Sequence, residues 1–143
     1  MAFSAKTEYG LVALIDLADA YGTGELLQTG EICRRHSMPE RYLEQMLTAL
    51  RKGGYLRSIR GPRGGFQLTR SPDLISIAEV EDCLEGESRD ERPRDRQHAE
   101  FRVVDALSRR SEEARQGVLG STTLAHLLLE RDRLQAPAPM FYI

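Results

Sequence analysis

A change of hydrophobic period at Gly53–Gly54 sets the strongest limit on how this chain folds. Upstream, apolar residues recur every three or four positions. Downstream, "YLRSIR" and "GFQLTR" alternate with a period of two and are joined by "GPRG". Short alternating runs around a glycine-containing loop predict a two-stranded hairpin, since strand side chains point to opposite faces in turn. From Arg51 to Arg70 the chain is also charged, with Arg51, Lys52, Arg57, Arg60, Arg63 and Arg70 and no acidic residue. A basic, glycine-rich turn can cradle a nucleotide phosphate, or it can be a hairpin tip that touches a nucleic-acid backbone. A phosphate loop needs G-x-x-x-x-G-K and then Ser or Thr between a strand and a helix, because lysine and hydroxyl hold phosphate and magnesium. "GPRGGF" supplies neither residue and runs on into a strand, and no G-x-G-x-x-G is present. The hairpin tip is the surviving reading.

Before the switch, the spacing of Tyr9, Val12, Ala13, Leu14, Leu17 and Ala18 predicts a helix from about Lys6 to Tyr21, ended by "YGTG". A shorter helix is expected over Gly30–His36, capped by Thr29, with Ile32 and Cys33 facing inward. A third starts at about Pro39, a residue suited to a first helical turn, buries Leu43, Met46, Leu47 and Leu50, and stops at Gly53 and Gly54.

After the hairpin, Pro72 closes the second strand. "SIAE", Ser76 to Glu79, reads as a capping box that starts a fourth helix at about Ile77 and runs it through Val80, Cys83 and Leu84 to Gly86. "ESRDERPRDRQ" has no apolar residue and is expected to be a charged linker. A long helix follows from about His98 to Gln116, with a stripe of Phe101, Val104 and Leu107 that leads on to Ala114 and Val118. After "GS", a last helix from about Thr122 carries Leu124, Leu127 and Leu128 until "APAP" ends it. The expected organisation is a domain over 1–86, a linker over 87–97, a long and a short helix over 98–134, and a tail over 135–143.

At 143 residues, 41% hydrophobic and 29% charged, the chain has the composition of a soluble globular protein with a core. Its two cysteines, Cys33 and Cys83, lie outside any C-x-x-C spacing, which rules out a disulfide framework and makes a poor start for a zinc site. No apolar run approaches the roughly 20 residues of a membrane helix. The first residues lack a secretory pattern, so the cytoplasm is the expected compartment and no membrane partner is expected. The net charge of −2 averages a basic stretch with an acidic C-terminal half. Local potential, not the average, governs attraction to a polyanion, although a solvated basic face would read the same way.

Helix, helix, turn, helix and hairpin, in that order, describe a winged helix-turn-helix. The fold class is mainly α with a small β-hairpin, followed by a long C-terminal dimerisation helix. In such a domain the third helix enters the major groove and the second braces it across the backbone. Glu40, Arg41, Tyr42, Glu44 and Gln45 are exposed near its start. Arginine pairs with guanine, glutamine with adenine, and glutamate accepts from the cytosine amino group. The hairpin tip would meet the adjacent minor groove with Arg60 or Arg63, its glycines letting the backbone approach the sugar-phosphate wall. A long helix with an apolar stripe beyond a charged linker needs something to pack on, which favours a dimer.

The stretches "TEYGLVALIDLA", "EICRRHSMPERYLEQMLTALRKGGYLRSIRGPRGGFQL" and "ISIAEVEDCLEG" resemble the Rrf2 family of bacterial winged-helix regulators. Residues 1–86 carry the likeness closely; 98–134 share its pattern, including "VLGSTTLAHLL". The resemblance implies a homodimeric transcription regulator that binds double-stranded DNA. Arg41, Tyr42, Glu44, Gln45 and Arg51 on the recognition helix, with Arg60 and Arg63 in the wing, would face the duplex. Two such units would read half-sites about one helical turn, roughly 34 Å, apart.

Cluster-binding members of that family hold iron with three cysteines between the fourth and the long helix. The corresponding stretch here, Gly86 to Gln97, has none, so the usual thiolate ligation cannot be built and no cofactor is predicted. An iron–sulfur cluster would need atypical ligands, for which Glu8, Cys83 and His98 are the candidates. Each also has a plain reading: Glu8 as an acid near a helix N-terminus, Cys83 as packing, His98 as a solvated residue at a helix start. Cys33 reads as packing. Control would then come from a bound small molecule or a partner protein. The leading function is a dimeric, DNA-binding transcriptional regulator, a repressor or dual regulator. The competing one is a winged-helix module that binds protein, its DNA contact vestigial. No nucleophile–base pair or phosphate loop points to an enzyme.

Overall fold

Burial begins with the first helix. In the computed structural model, which describes residues 3–86 and 97–137, α1 spans Ala5–Ala20 and contributes Leu11, Ala13, Leu14, Leu17 and Ala18 to the core. Ser4 caps it by accepting from the Thr7 amide at 3.2 Å. The second helix, α2, spans Thr29–His36, and the third, α3, spans Glu40–Lys52. Leu43, Leu47 and Leu50 of α3 are fully enclosed against α1 and its neighbours.

Two helix starts differ from expectation. Thr29 is the first residue of α2, not its cap; Gln28 holds the cap position and its side chain is turned elsewhere. Pro39 caps α3 in an extended conformation and does not lie within the first turn. A proline is free of penalty there too, because the first amides of a helix have no intrahelical acceptor. Between α2 and α3 the chain reverses at Ser37, which sits in the left-handed region at φ 53°, and buries Met38. Buried Asp16 of α1 fastens α2 from below: His36 Nε2 lies 2.7 Å from its carboxylate and Arg35 at 3.7 Å.

Strands β1 (Leu56–Ile59) and β2 (Gly65–Leu68) pair antiparallel, with Leu56 opposite Leu68, both buried. A single 3-10 turn at Pro72–Leu74 leads to α4, Ile77–Glu85, and the capping box between Ser76 and Glu79 is present. The long helix, α5, covers Ala99–Ser121 and so runs past the expected end at Gln116, through Gly117 and Gly120. What stops it is tertiary. At Thr122 the chain extends and pairs with the start of α4: Ile77 N–H donates to Thr122 O at 2.9 Å and Leu124 N–H to Ile75 O at 2.9 Å. Hydroxyls of Ser121 and Thr122 cover the last carbonyls, at 2.8 Å from Gly117 O and Val118 O.

The last helix, α6 (Leu124–Gln135), returns onto α1 and the 3-10 turn, with Leu124 wholly buried and Arg131 3.0 Å from Asp19. His126 closes a capping box with Thr123, accepting from its amide through Nδ1 at 3.0 Å. On α4, the carboxylate of Glu81, itself buried, is held by both terminal nitrogens of Arg115 from α5. One turn on, Glu85 accepts from the buried Thr7 hydroxyl at 2.7 Å. That bond, with another from Ser4, holds the Glu85 carboxyl below its usual range. Among the described residues no helix is long and apolar enough to cross a membrane.

Because Leu124 is enclosed on every side, Leu124→Ala should cost about 2–5 kcal/mol of stability in urea unfolding. A loss below about 1 kcal/mol would contradict the packing of α6 into the core.

Candidate nucleic-acid interface

The apolar period of α3 leaves one face for solvent. With Leu43, Met46, Leu47 and Leu50 turned inward, Arg41, Glu44, Gln45, Thr48, Ala49 and Lys52 line a shallow concavity along the other side. These positions are three and four apart, so they form one row along the helix. The row mixes donors (Arg41, Lys52), an acceptor (Glu44) and groups that do both (Gln45, Thr48). Such a mixture suits base edges better than a uniform polyanion would require. Tyr42 and Arg51 stand on its flanks, both exposed, and the Lys6 ammonium of α1 lies 5.7 Å from the centre of the Tyr42 ring.

The hairpin supplies the second surface. Arg60, Gly61, Pro62 and Arg63 form an exposed tip, closed by the Gly64 amide donating to Gly61 O at 2.9 Å. Here the structure revises the reason for one glycine. A Cβ on Gly64 would stand 2.0 Å from the Ile59 carbonyl oxygen, so the wing itself requires glycine there in order to close. Gly61, at φ +117° with open space around it, is the glycine on the free side.

The basic stretch is not uniformly available. Arg70 is used inside the fold, stacked 4.8 Å over Tyr55 and 3.4 Å from Glu79. Arg41, Arg51, Arg60 and Arg63 take no ion pair among the described residues. Cations left without carboxylates on a surface gain most from phosphate, where they release condensed counterions.

The three candidates for atypical ligation do not gather. Glu8 is exposed in the first turn of α1, and His98 is exposed at the cap of α5 without a cap hydrogen bond. Cys83 is half-buried, its Sγ–H donating to Ala49 O at 3.4 Å behind α3, and it packs so close to Gly53 that a Cβ there would meet Sγ at 2.7 Å. Burial pushes its thiol up. Cys33 is buried in the core, and its thiol is pushed up first by burial, then by Glu40 and Glu44. Among the described residues no three His, Cys, Asp or Glu side chains assemble into a metal site. The expected linker and sensor position lies largely outside the described residues, as does most of the expected tail.

Some of the interface was not read from the sequence. Thr48 and Lys52 could have been found by continuing the helical spacing from Arg41 and Gln45. A third sheet contact could not. Leu27, before α2, pairs with Phe66 of β2: Leu27 N–H donates to Phe66 O at 3.0 Å and Phe66 N–H to Leu27 O at 2.8 Å. One such pair leaves no periodic trace in a sequence.

Comparison with known proteins agrees with this geometry. Residues 3–130 match the sequence model of the Rrf2 family, described as an iron-dependent transcriptional regulator. The HTH-type transcriptional regulator CymR of Bacillus subtilis (strain 168) is 36% identical over 149 aligned positions that cover 100% of both chains. The HTH-type transcriptional regulator IscR of Cereibacter sphaeroides is 38% identical over 86 residues, 59% of this chain and 56% of that one. Among solved structures, T. potens IscR superimposes with a TM-score of 0.78 at 31% identity, over 96% of this chain and 93% of the other. The oxidized form of Staphylococcus aureus CymR gives a TM-score of 0.72 at 34% identity, over 90% and 96%.

Proposed function

This chain belongs to the Rrf2 family of winged helix-turn-helix transcriptional regulators, and from that premise we propose that it is a homodimeric repressor reading a palindromic operator through α3 and the wing. The observation that carries the proposal is the row on α3 beside a wing tip whose cations take no ion pair among the described residues. In this reading Arg41, Glu44 and Gln45 address base edges in the major groove, Tyr42 and Arg51 contact its walls, and Arg60 and Arg63 enter the neighbouring minor groove.

The dimer rests on α5. This 23-residue helix, about 35 Å long, buries none of its residues within one chain. Val103, Val104, Leu107 and Val118 are more than half exposed along it. Most of a helix's stability in a protein comes from packing its apolar face, and a second copy would supply that packing for this stripe. The compartment that suits such a regulator is the cytoplasm.

Iron fits this chain poorly. The family's description names it, yet the two cysteines lie in different surroundings, Cys33 in the core and Cys83 against Ala49 O behind α3, and residues 86–97 offer no third. We therefore read the chain as a regulator controlled by a small molecule or a partner protein rather than by a thiolate-held cluster.

Affinity for its own promoter region should fall steeply with salt. Arg63→Ala should lower the slope of log affinity against log salt by about 1 without unfolding the protein. Gln45→Ala should relax sequence preference by about 1–3 kcal/mol at one base pair. Unchanged binding in both variants would refute these roles. Protein purified without oxygen should be colourless and free of stoichiometric iron; a coloured protein holding iron would overturn the reading of its control.

A further inference from the structure

Gln28 is at the cap of α2, yet its side chain caps nothing. Its amide group instead crosses to the wing, where Nε2 lies 3.4 Å from Pro62 O and 3.3 Å from Gly64 O. Those carbonyls flank Arg63. Immediately before it, Leu27 exchanges two backbone hydrogen bonds with Phe66, and a Cβ on Gly65 would approach the Leu27 carbonyl oxygen to 2.7 Å. Residues 27–28 therefore grip the wing along the outer part of β2, at Phe66, and at its tip. A two-stranded hairpin is marginally stable by itself and would otherwise sample many tip orientations. The turn is also rich in glycine, which widens that sampling.

From this juxtaposition we propose that Gln28 is a positioning residue for DNA binding: it holds the wing tip, and with it Arg63, in register with the recognition helix, so that ordering of the tip is completed before the duplex arrives. The proposal rests on the reading of the wing as a minor-groove contact. Gln28 is exposed and its two acceptors are 34 and 36 residues away, so the grip ties the wing tip to the start of α2, which packs on α3, without contributing to the core. Pre-ordering of this kind raises affinity by lowering the entropy lost on binding.

The test is Gln28→Met, which keeps the length of the side chain and adds no charge but removes the donor. Binding is measured on a duplex selected from random-sequence DNA by the wild-type protein, for Gln28→Met, Arg63→Ala and the double variant. Amide hydrogen exchange of Gly61, Arg63, Gly64 and Gly65 is followed in the free proteins. The expected result is an unchanged melting transition, faster exchange at the tip, and affinity lower by about threefold to tenfold, the range of one net hydrogen bond. In the Arg63→Ala background that loss should shrink towards none, since the tip would have no cation left to place. If Arg63→Ala weakens binding while Gln28→Met leaves tip exchange or affinity unchanged, or acts additively with it, the positioning role is wrong and the wing contact stands. If Arg63→Ala has no effect, the wing contact fails and the positioning role with it.

Discussion

The packing of α3 on α1 is the interaction on which the rest depends. Leu43, Leu47 and Leu50 have no exposed surface, and they meet Leu14 and Leu17 of α1 in a single apolar cluster. Burying those side chains fixes the rotation of α3 about its own axis, because the residues that face inward determine which ones face outward. Arg41, Glu44, Gln45, Thr48 and Lys52 are presented together for that reason alone. The core thus does more than hold the domain folded: it aims the polar row. The same cluster takes in Leu56 and Leu68, so the base of the wing is anchored to the body that aims the helix.

A second set of contacts joins this body to the long helix. Glu81 of α4 grips Arg115 of α5, and Thr122 pairs with the start of α4, so α5 leaves the domain in a defined direction. A buried carboxylate left without its guanidinium would be costly, which makes the Glu81–Arg115 junction stiff in geometry even where its net contribution to stability is small. In a dimer assembled along α5, that direction would set how far apart the two recognition helices stand. Glu85 and Thr7 tie the N-terminus of α1 into the same junction.

Much of this was legible in the sequence, for identifiable reasons. The change from a period of three or four to a period of two located the wing, and the capping box at Ser76–Glu79 placed α4 to the residue. The helical period sorted Leu43, Met46, Leu47 and Leu50 from their polar neighbours. Other features depend on contacts between distant segments and leave no local sign. Gly117 and Gly120 look like stops in the sequence, whereas the helix yields only at Thr122, where the chain extends and Thr123 bridges to Ser76. The cap of α2 was assigned to Thr29 because a hydroxyl is the usual choice, while Gln28 stands there and reaches the wing. His36 and His126, which no motif explained, hold Asp16 and the amide of Thr123.

The central claim is that one rigid body carries two readers, α3 for the major groove and the wing for the minor. Dimethyl sulfate tests it in a single footprint, since it methylates guanine N7 in the major groove and adenine N3 in the minor groove. On a duplex selected by the protein, the account predicts two patches of N7 protection, one helical turn or a multiple of it apart, each flanked by protected adenine N3. Protection of one groove only, or binding that leaves both atoms fully reactive, would contradict it.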